Sequence, residues 1–465
     1  MTMQGPSILI VDDEAIVRES LTDWLESKNY RVTAVDDGEL ALAYIIETDY
    51  DVVLLDIRLA RKSGVEVLRE AKKYKPNLKA IMITGYPSVD TAVETMKLGA
   101  MDYLVKPFAP EILEQRIEEV LKPKAAFSII TKPAVSRFVA NLLGATEVVG
   151  VTRKEGRFAF EKLARPDDLV LDYDVTILPP KKYFLPPVEK MLKFKLGGPF
   201  EVASAQEVTR RVVMGVHPDD LAAIELLDEA FIKVNPDPYY AARRQNTYVV
   251  AVDNLHPSPN AFCPSVGTAV RDKGFDLLLT DIGEEYLVTI GTSRGKELLA
   301  RYAETGEASD IDVVAAKAEQ GKALKRYVLS LSVPVSELPS LLERNYDSSY
   351  WETKAENCLN CGSCVMVCPT CFCFDVQDDV TLNLKEGWRQ RRWDGCVLSD
   401  FARVATGENF RHDRASRLRH RIMRKGKYVI ERYHLTGCVG CGRCGSACLS
   451  DIASPLKVFN ELKEQ

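Results

Sequence analysis

Four short apolar runs punctuate the first 122 residues: Ser7–Val11, Val52–Leu55, Ala80–Ile83 and Asp102–Val105. Between them apolar positions recur at helical spacing. Buried strands alternating with amphipathic helices predict a doubly wound parallel sheet, whose site lies beyond the carboxyl ends of the strands. The pattern changes after the amphipathic stretch Glu111–Leu121, where Lys122-Pro123-Lys124 marks a boundary. From 123 to about 350 the pattern is mixed. Pro179-Pro180 and Pro186-Pro187 read as rigid turns, and Gly215–Leu221 and Asp237–Arg244 as loops that start helices. Gly274–Asp281 and Glu285–Gly291 read as strands, so this segment is expected to be a mixed α/β domain. The remaining residues, 351–465, hold all but one of the twelve cysteines.

Polar groups fall where the first sheet needs them. Asp12 and Asp13 follow the first strand, Asp56 the second run, Thr84 the third, and Lys106 the fourth, just before Pro107. Clustered carboxylates repel one another and suit a hard divalent cation such as Mg2+. One of them can then accept a phosphoryl group, its charge balanced by Mg2+ and a lysine.

Near the C-terminus two cysteine runs share one spacing. Cys358, Cys361, Cys364 and Cys368, followed by Pro369, are matched by Cys438, Cys441, Cys444 and Cys448. This C-x2-C-x2-C-x3-C spacing holds cubane iron–sulfur clusters, the fourth cysteine of each run serving the other cube. One [4Fe-4S] cluster is therefore expected on Cys358, Cys361, Cys364 and Cys448, and a second on Cys438, Cys441, Cys444 and Cys368. Structural zinc also uses C-x2-C pairs, but it gives no reason for two triplets, each with a fourth cysteine three residues on. A ferredoxin-like dicluster domain is expected over 351–465. The G-x-G-x-x-G formed by Gly440, Gly442 and Gly445 lies inside the second run, with no strand before it, and is not a dinucleotide fingerprint. Its glycines are expected to let the backbone wrap a cube closely.

Composition narrows the classes. The 465 residues carry 28% charged side chains and a net charge of −6, which argues against wholesale binding to nucleic acid or an anionic membrane. No apolar stretch is long enough to span a bilayer, and no secretion signal opens the chain. Cysteines in that context point to metal or redox use in the cytoplasm, with an anaerobic cell the natural host. Charge is uneven, however. Between Trp388 and Arg432 thirteen Lys plus Arg face five Asp plus Glu.

Residues 1–122 resemble the response-regulator receiver domain, a flavodoxin-like fold, over its whole length. Met96–Phe108 is especially similar to receivers of transcriptional regulators. The resemblance implies that Asp56 is the phospho-acceptor and that Asp12, Asp13 and Asp56 organise Mg2+. It further implies that Lys106 pairs with the phosphoryl group, that Thr84 and Tyr103 form the switch pair, and that a histidine kinase is the phosphodonor. From about 125 to 455 the chain resembles the beta subunit of cytosolic sulfhydrogenases and the corresponding iron–sulfur subunit of anaerobic sulfite reductase. The matching stretches are Lys182–Glu189, Gly215–Leu221, Asp237–Arg244, Cys368–Val376, Gly387–Cys396 and Cys438–Cys448. That resemblance implies an electron-transfer subunit, with a flavin- or nicotinamide-binding partner and a catalytic subunit of hydrogenase or sulfite-reductase type. Relatives tend to carry further cysteines near Asp219 and Asn254–Ser265. Here only Cys263 remains, and it reads as a buried apolar residue.

Three cysteines are left near the runs. Cys371, Cys373 and Cys396 could hold a third cluster, with Asp394, Asp375 or His434 as the fourth ligand, or could be packed thiols. Cys368 and Cys371 also have dithiol spacing, although Cys368 is committed to a cube. Arg411, Arg414, Arg417, Arg419, Arg421 and Arg424 are read first as a solvated helix. The sharper alternative is positive charge that raises cluster potentials or guides an acidic partner. No helix-turn-helix follows the receiver, so DNA binding is not expected. The competing function is a two-component signalling protein whose clusters sense redox state or oxygen.

Overall fold

A computed structural model describes residues 5–85, 89–121, 126–196, 199, 201–205 and 208–464. The chain divides into two compact units, Met1–Lys124 and Ala125–Gln465. The expected boundary at Lys122-Pro123-Lys124 lies outside the described residues.

The first unit is a five-stranded parallel sheet: β1 (Ser7–Val11), β2 (Arg31–Val35), β3 (Val52–Asp56), β4 (Ala80–Thr84) and β5 (Asp102–Val105). Their order is β2-β1-β3-β4-β5, so the chain reverses direction across the sheet between β1 and β3. β1, β3 and β4 are apolar on both faces because helices cover both, as a parallel sheet requires. Two separate apolar clusters result, one on each face, around Leu9, Val53 and Leu68 and around Ile8, Leu54 and Ile117. The helix Gly64–Tyr74 starts at a capping box in which Ser63 and Glu66 satisfy each other's backbone N–H groups.

The second unit holds an eight-stranded mixed sheet. Its order is Gly306–Glu307, Ala126–Thr131, Glu285–Ile290, Leu277–Asp281, Thr247–Val252, Arg211–Val216, Glu147–Lys154 and Arg157–Lys162. The four strands Leu277–Asp281, Thr247–Val252, Arg211–Val216 and Glu147–Lys154 are mutually parallel, and antiparallel strands flank them. A smaller antiparallel sheet pairs Glu201–Ser204 and Val188–Lys195 with Glu386–Trp393 and Phe374–Val380. The segments 123–350 and 351–465, expected as separate domains, therefore share a sheet and lie in one compact unit.

Three of the family-like stretches meet in one buried ion network rather than in a ligand site. Arg391 is 1% exposed, and its Nε donates to Glu189 Oε2 at 2.6 Å while Nη1 donates to Asp237. Arg243 donates to the other Glu189 oxygen. Lys182–Glu189, Asp237–Arg244 and Gly387–Cys396 are thereby stitched together, the charges paired as burial demands. Among the described residues no helix is long and apolar enough to cross a membrane.

Candidate functional site

The receiver site forms at the carboxyl ends of β1, β3, β4 and β5. Asp12, Asp56 and Thr84 are buried and Asp13 is exposed. Ligand oxygens of Asp12, Asp13 and Asp56 lie within 4.8 Å of one another, a spacing that a single divalent cation can bridge. Lys106 Nζ is 2.6 Å from both Asp12 Oδ2 and Asp56 Oδ2. Burial raises the Asp12 carboxyl from its usual range, against the pull of Lys106. Burial works to lower Lys106, and its bonds to Asp12 and Asp56 more than reverse this. Tyr103 is half-buried, and its enclosed hydroxyl has no hydrogen-bond partner among the described residues.

In the second unit the eight run cysteines line two cavities. Cys358, Cys361, Cys364 and Cys448 line one of about 450 Å3, together with Asn360, Leu418 and Ala453. Cys438, Cys441, Cys444 and Cys368 line another of about 320 Å3. The chain crosses over between them: each cavity takes three cysteines from one run and the last from the other. Short helices at Ser363–Met366 and Arg443–Ser446 carry the third cysteine of each run.

A third cavity of about 250 Å3 is lined by Cys371, Cys373, Cys396 and Asp394. Of the three proposed fourth ligands, Asp394 lines it. Asp375 is exposed and bonded to Val376 N and Gln377, and His434 is exposed at the end of a helix. The Cys368 thiol is pushed well down, first by a hydrogen bond from Cys371 and then by Lys425 and Lys181, against burial. A thiolate is the form that binds metal.

Several residues that the sequence did not single out hold this region together. Lys181, 2% exposed, donates to the carbonyls of Cys368 at 2.7 Å and Cys371 at 2.6 Å. Lys425 Nζ sits 3.2 Å from Cys368 Sγ and 2.6 Å from Thr370 Oγ1. Arg443, inside the second run, makes a two-point bond to Asp220 and two further bonds to Thr176. Lys181 abuts a family-like stretch, and Asp220 and Arg443 lie within two of them. That adjacency is the signal that could have found them.

Two readings are revised. The arginine segment is not a solvated helix: Arg417 and Arg421 are 5% and 1% exposed. The helix Arg414–Met423 is driven between the cysteine cavities, with Leu418 lining the first and Arg421 the second and third. Gly440 and Gly442 take positive φ, and their lack of a side chain serves close approach to the segment Asn260–Cys263. A Cβ on Gly440 would stand 2.7 Å from Cys263 N, and one on Gly442 2.5 Å from Asn260 backbone. Cys263 itself is 1% exposed, its thiol pushed up by burial.

Residues 357–452 match the 4Fe-4S dicluster domain, and residues 8–118 match the response regulator receiver domain. Sulfhydrogenase 2 subunit beta of Pyrococcus furiosus is 35% identical over 318 residues, which span 68% of this chain and 92% of that protein. Transcriptional regulatory protein ZraR of Klebsiella oxytoca is 37% identical over 139 residues, 30% of this chain and 31% of that protein. A CheY-like receiver domain protein from Methanospirillum hungatei is 36% identical, covering 25% of this chain and 94% of that one, with a TM-score of 0.25. The chain belongs to the sulfhydrogenase beta-subunit family, an iron–sulfur protein of the dicluster type that carries a response-regulator receiver domain at its N-terminus.

Proposed function

We propose that the chain is the electron-transfer subunit of a cytoplasmic oxidoreductase complex of hydrogenase or sulfite-reductase type, regulated through its receiver. The observation that carries this reading is the crossed cavity lining, in which Cys448 joins Cys358, Cys361 and Cys364 while Cys368 joins Cys438, Cys441 and Cys444. Such crossing serves two neighbouring [4Fe-4S] clusters, and Cys371, Cys373, Cys396 and Asp394 would hold a third. When bound, the cubes supply single-electron transfer.

The chain's own residues do the rest. Lys181 fixes the turn that carries Cys368 and Cys371, and Lys425 sets its ammonium against the Cys368 sulfur. Arg443 and Asp220 clamp the second run to the carboxyl end of the parallel strand Arg211–Val216. Exposed Cys361, with Leu359 at 62% and Leu449 at 90% exposure on the same cavity, supports a first cluster that would lie within a partner's reach. A flavin- or nicotinamide-binding subunit and a catalytic subunit are the partners the family implies. In the receiver, Asp12, Asp13 and Asp56 would hold Mg2+. Asp56 would take a phosphoryl group from a histidine kinase, Lys106 would neutralise it, and Thr84 and Tyr103 would report it.

The exposure of Cys361 also suits the second reading, a redox or oxygen sensor, which needs one cluster within reach of solvent. Anaerobic affinity purification from the native cell, counting iron and flavin and identifying copurifying chains, separates the two. Recovery with a flavin subunit and a catalytic subunit supports electron transfer. Recovery alone, or with a histidine kinase only, supports the sensor.

A further inference from the structure

Arg421 has a setting that protein atoms alone leave uncompensated. It is 1% exposed, and Nη1 donates to Ala453 O at 2.8 Å, while Nε and Nη2 are buried, meet no oxygen acceptor among the described residues, and have the Cys444 sulfur as their neighbour. A guanidinium does not deprotonate in proteins, and a buried charge without a counter-charge is strongly unfavourable. Among the described residues no carboxylate forms an ion pair with Arg421. Against the cost of burial, the groups of opposite sign that act on it most are sulfurs from all three cavities, Cys364, Cys444, Cys371 and Cys368, while neighbouring Lys425 repels it. It lines the second and third cavities directly, and Ala453, its bonded carbonyl, belongs to a residue lining the first. One turn on, Lys425 lines the same two cavities. It lies in a π-helical turn, Arg424–Tyr428, a local widening frequent at functional sites.

We propose that Arg421 is a fixed positive charge set among the three cysteine-lined cavities, lining two of them beside Lys425, and that it raises the reduction potentials of the clusters they hold. The inference rests on the cluster reading above. Reduction adds one electron to a cube and makes or breaks no bond, so the cube–thiolate unit gains one negative charge. A permanent cation next to it stabilises the reduced form. Its Nε and Nη2 N–H groups, beside the Cys444 sulfur, would donate to cluster or thiolate sulfur, a second effect in the same direction. The gain is largest for the second and third clusters, whose cavities Arg421 lines, and smaller for the first.

The test is a dithionite titration of the anaerobically purified full chain, followed by electron paramagnetic resonance. Arg421→Gln, with iron retained, is expected to move the second and third potentials to more negative values and the first less. Arg421→Lys, which keeps the charge, is expected to restore most of the shift. Arg414→Gln, on an exposed arginine of the same helix, is expected to move none. Equal potentials in wild type and an iron-loaded Arg421→Gln chain overturn the proposal. Should that variant fail to assemble, the wild-type chain labelled with 15N-arginine decides: electron spin-echo modulation from the reduced clusters is expected to show a nitrogen coupling that Arg421→Lys loses. Its absence in wild type overturns the proposal. A chain that binds no iron contradicts the cluster reading itself and removes this inference with it.

Discussion

Arg443 of the second cysteine run and Asp220 of the middle segment form a two-point ion pair, at 2.8 and 2.7 Å, with both side chains at or below 2% exposure. The arrangement joins residues more than two hundred positions apart and sets the second cysteine cavity against the carboxyl ends of the parallel strands. Asp219 lies next to it, 3.7 Å from the same guanidinium.

Breaking that pair on one side leaves an uncompensated buried charge, which costs about 3–5 kcal/mol. Arg443→Met should therefore lower the unfolding midpoint and release iron from the second cluster before the first. Arg443→Lys should rescue little, since an ammonium cannot make the planar two-point contact. Chemical unfolding with iron release measured in parallel checks both.

Crossed ligation makes a prediction about which cluster each cysteine serves. Cys368→Ser should alter the same cluster signal as Cys441→Ser, although Cys368 lies in the other run. Cys448→Ser should alter the same signal as Cys361→Ser. The resonance spectra of the four reduced variants will fall into those two pairs. Removing Cys371, Cys373 and Cys396 together should lower bound iron by about four atoms per chain, one cube's content.

Asp56→Asn should abolish covalent labelling by acetyl phosphate, and chelating Mg2+ should abolish it in wild type. Lys106→Met should leave the acceptor in place and weaken labelling, since the cation 2.6 Å from Asp56 would be gone. Intact mass at set times after mixing reads all three.

Asp219 gives a pH dependence. Burial first, then Asp220, raises its carboxyl to about 7 against the pull of Arg443. A carboxyl in the unfolded chain titrates at about 3.9, so the folded state holds this proton more tightly. Its contribution to stability is complete below about pH 4 and is lost as pH rises to about 7. Asp219→Asn should flatten the decline in stability over that window. Unfolding midpoints at pH 5 and pH 8 should differ less in the variant than in wild type.

Much of this is legible in the residues, for identifiable reasons. The run of acids and Lys106 at strand ends follows from local periodicity, and the repeated cysteine spacing leads to the expectation that Cys368 stands with the second run and Cys448 with the first, where the cavities have them. The strand Arg31–Val35 gives no such signal, because its residues are mostly exposed or half-buried and carry no apolar run. The sheet joining Val188–Lys195 to Glu386–Trp393 is hidden for a related reason. Its strands mix lysine, arginine and glutamate, and their pairing spans nearly two hundred residues. Arg417 and Arg421 look solvated in the sequence because a helix with charge on several faces usually is. What surrounds Arg421 here, cysteines gathered from distant segments, leaves no local mark.

The most direct measurement is the metal and sulfide content of the anaerobically purified chain, with a resonance spectrum after reduction. The account predicts iron and acid-labile sulfide in equal amounts, at least two cubes' worth, and signals from neighbouring reduced clusters that interact. Zinc in place of iron, with no sulfide and no signal, would contradict it.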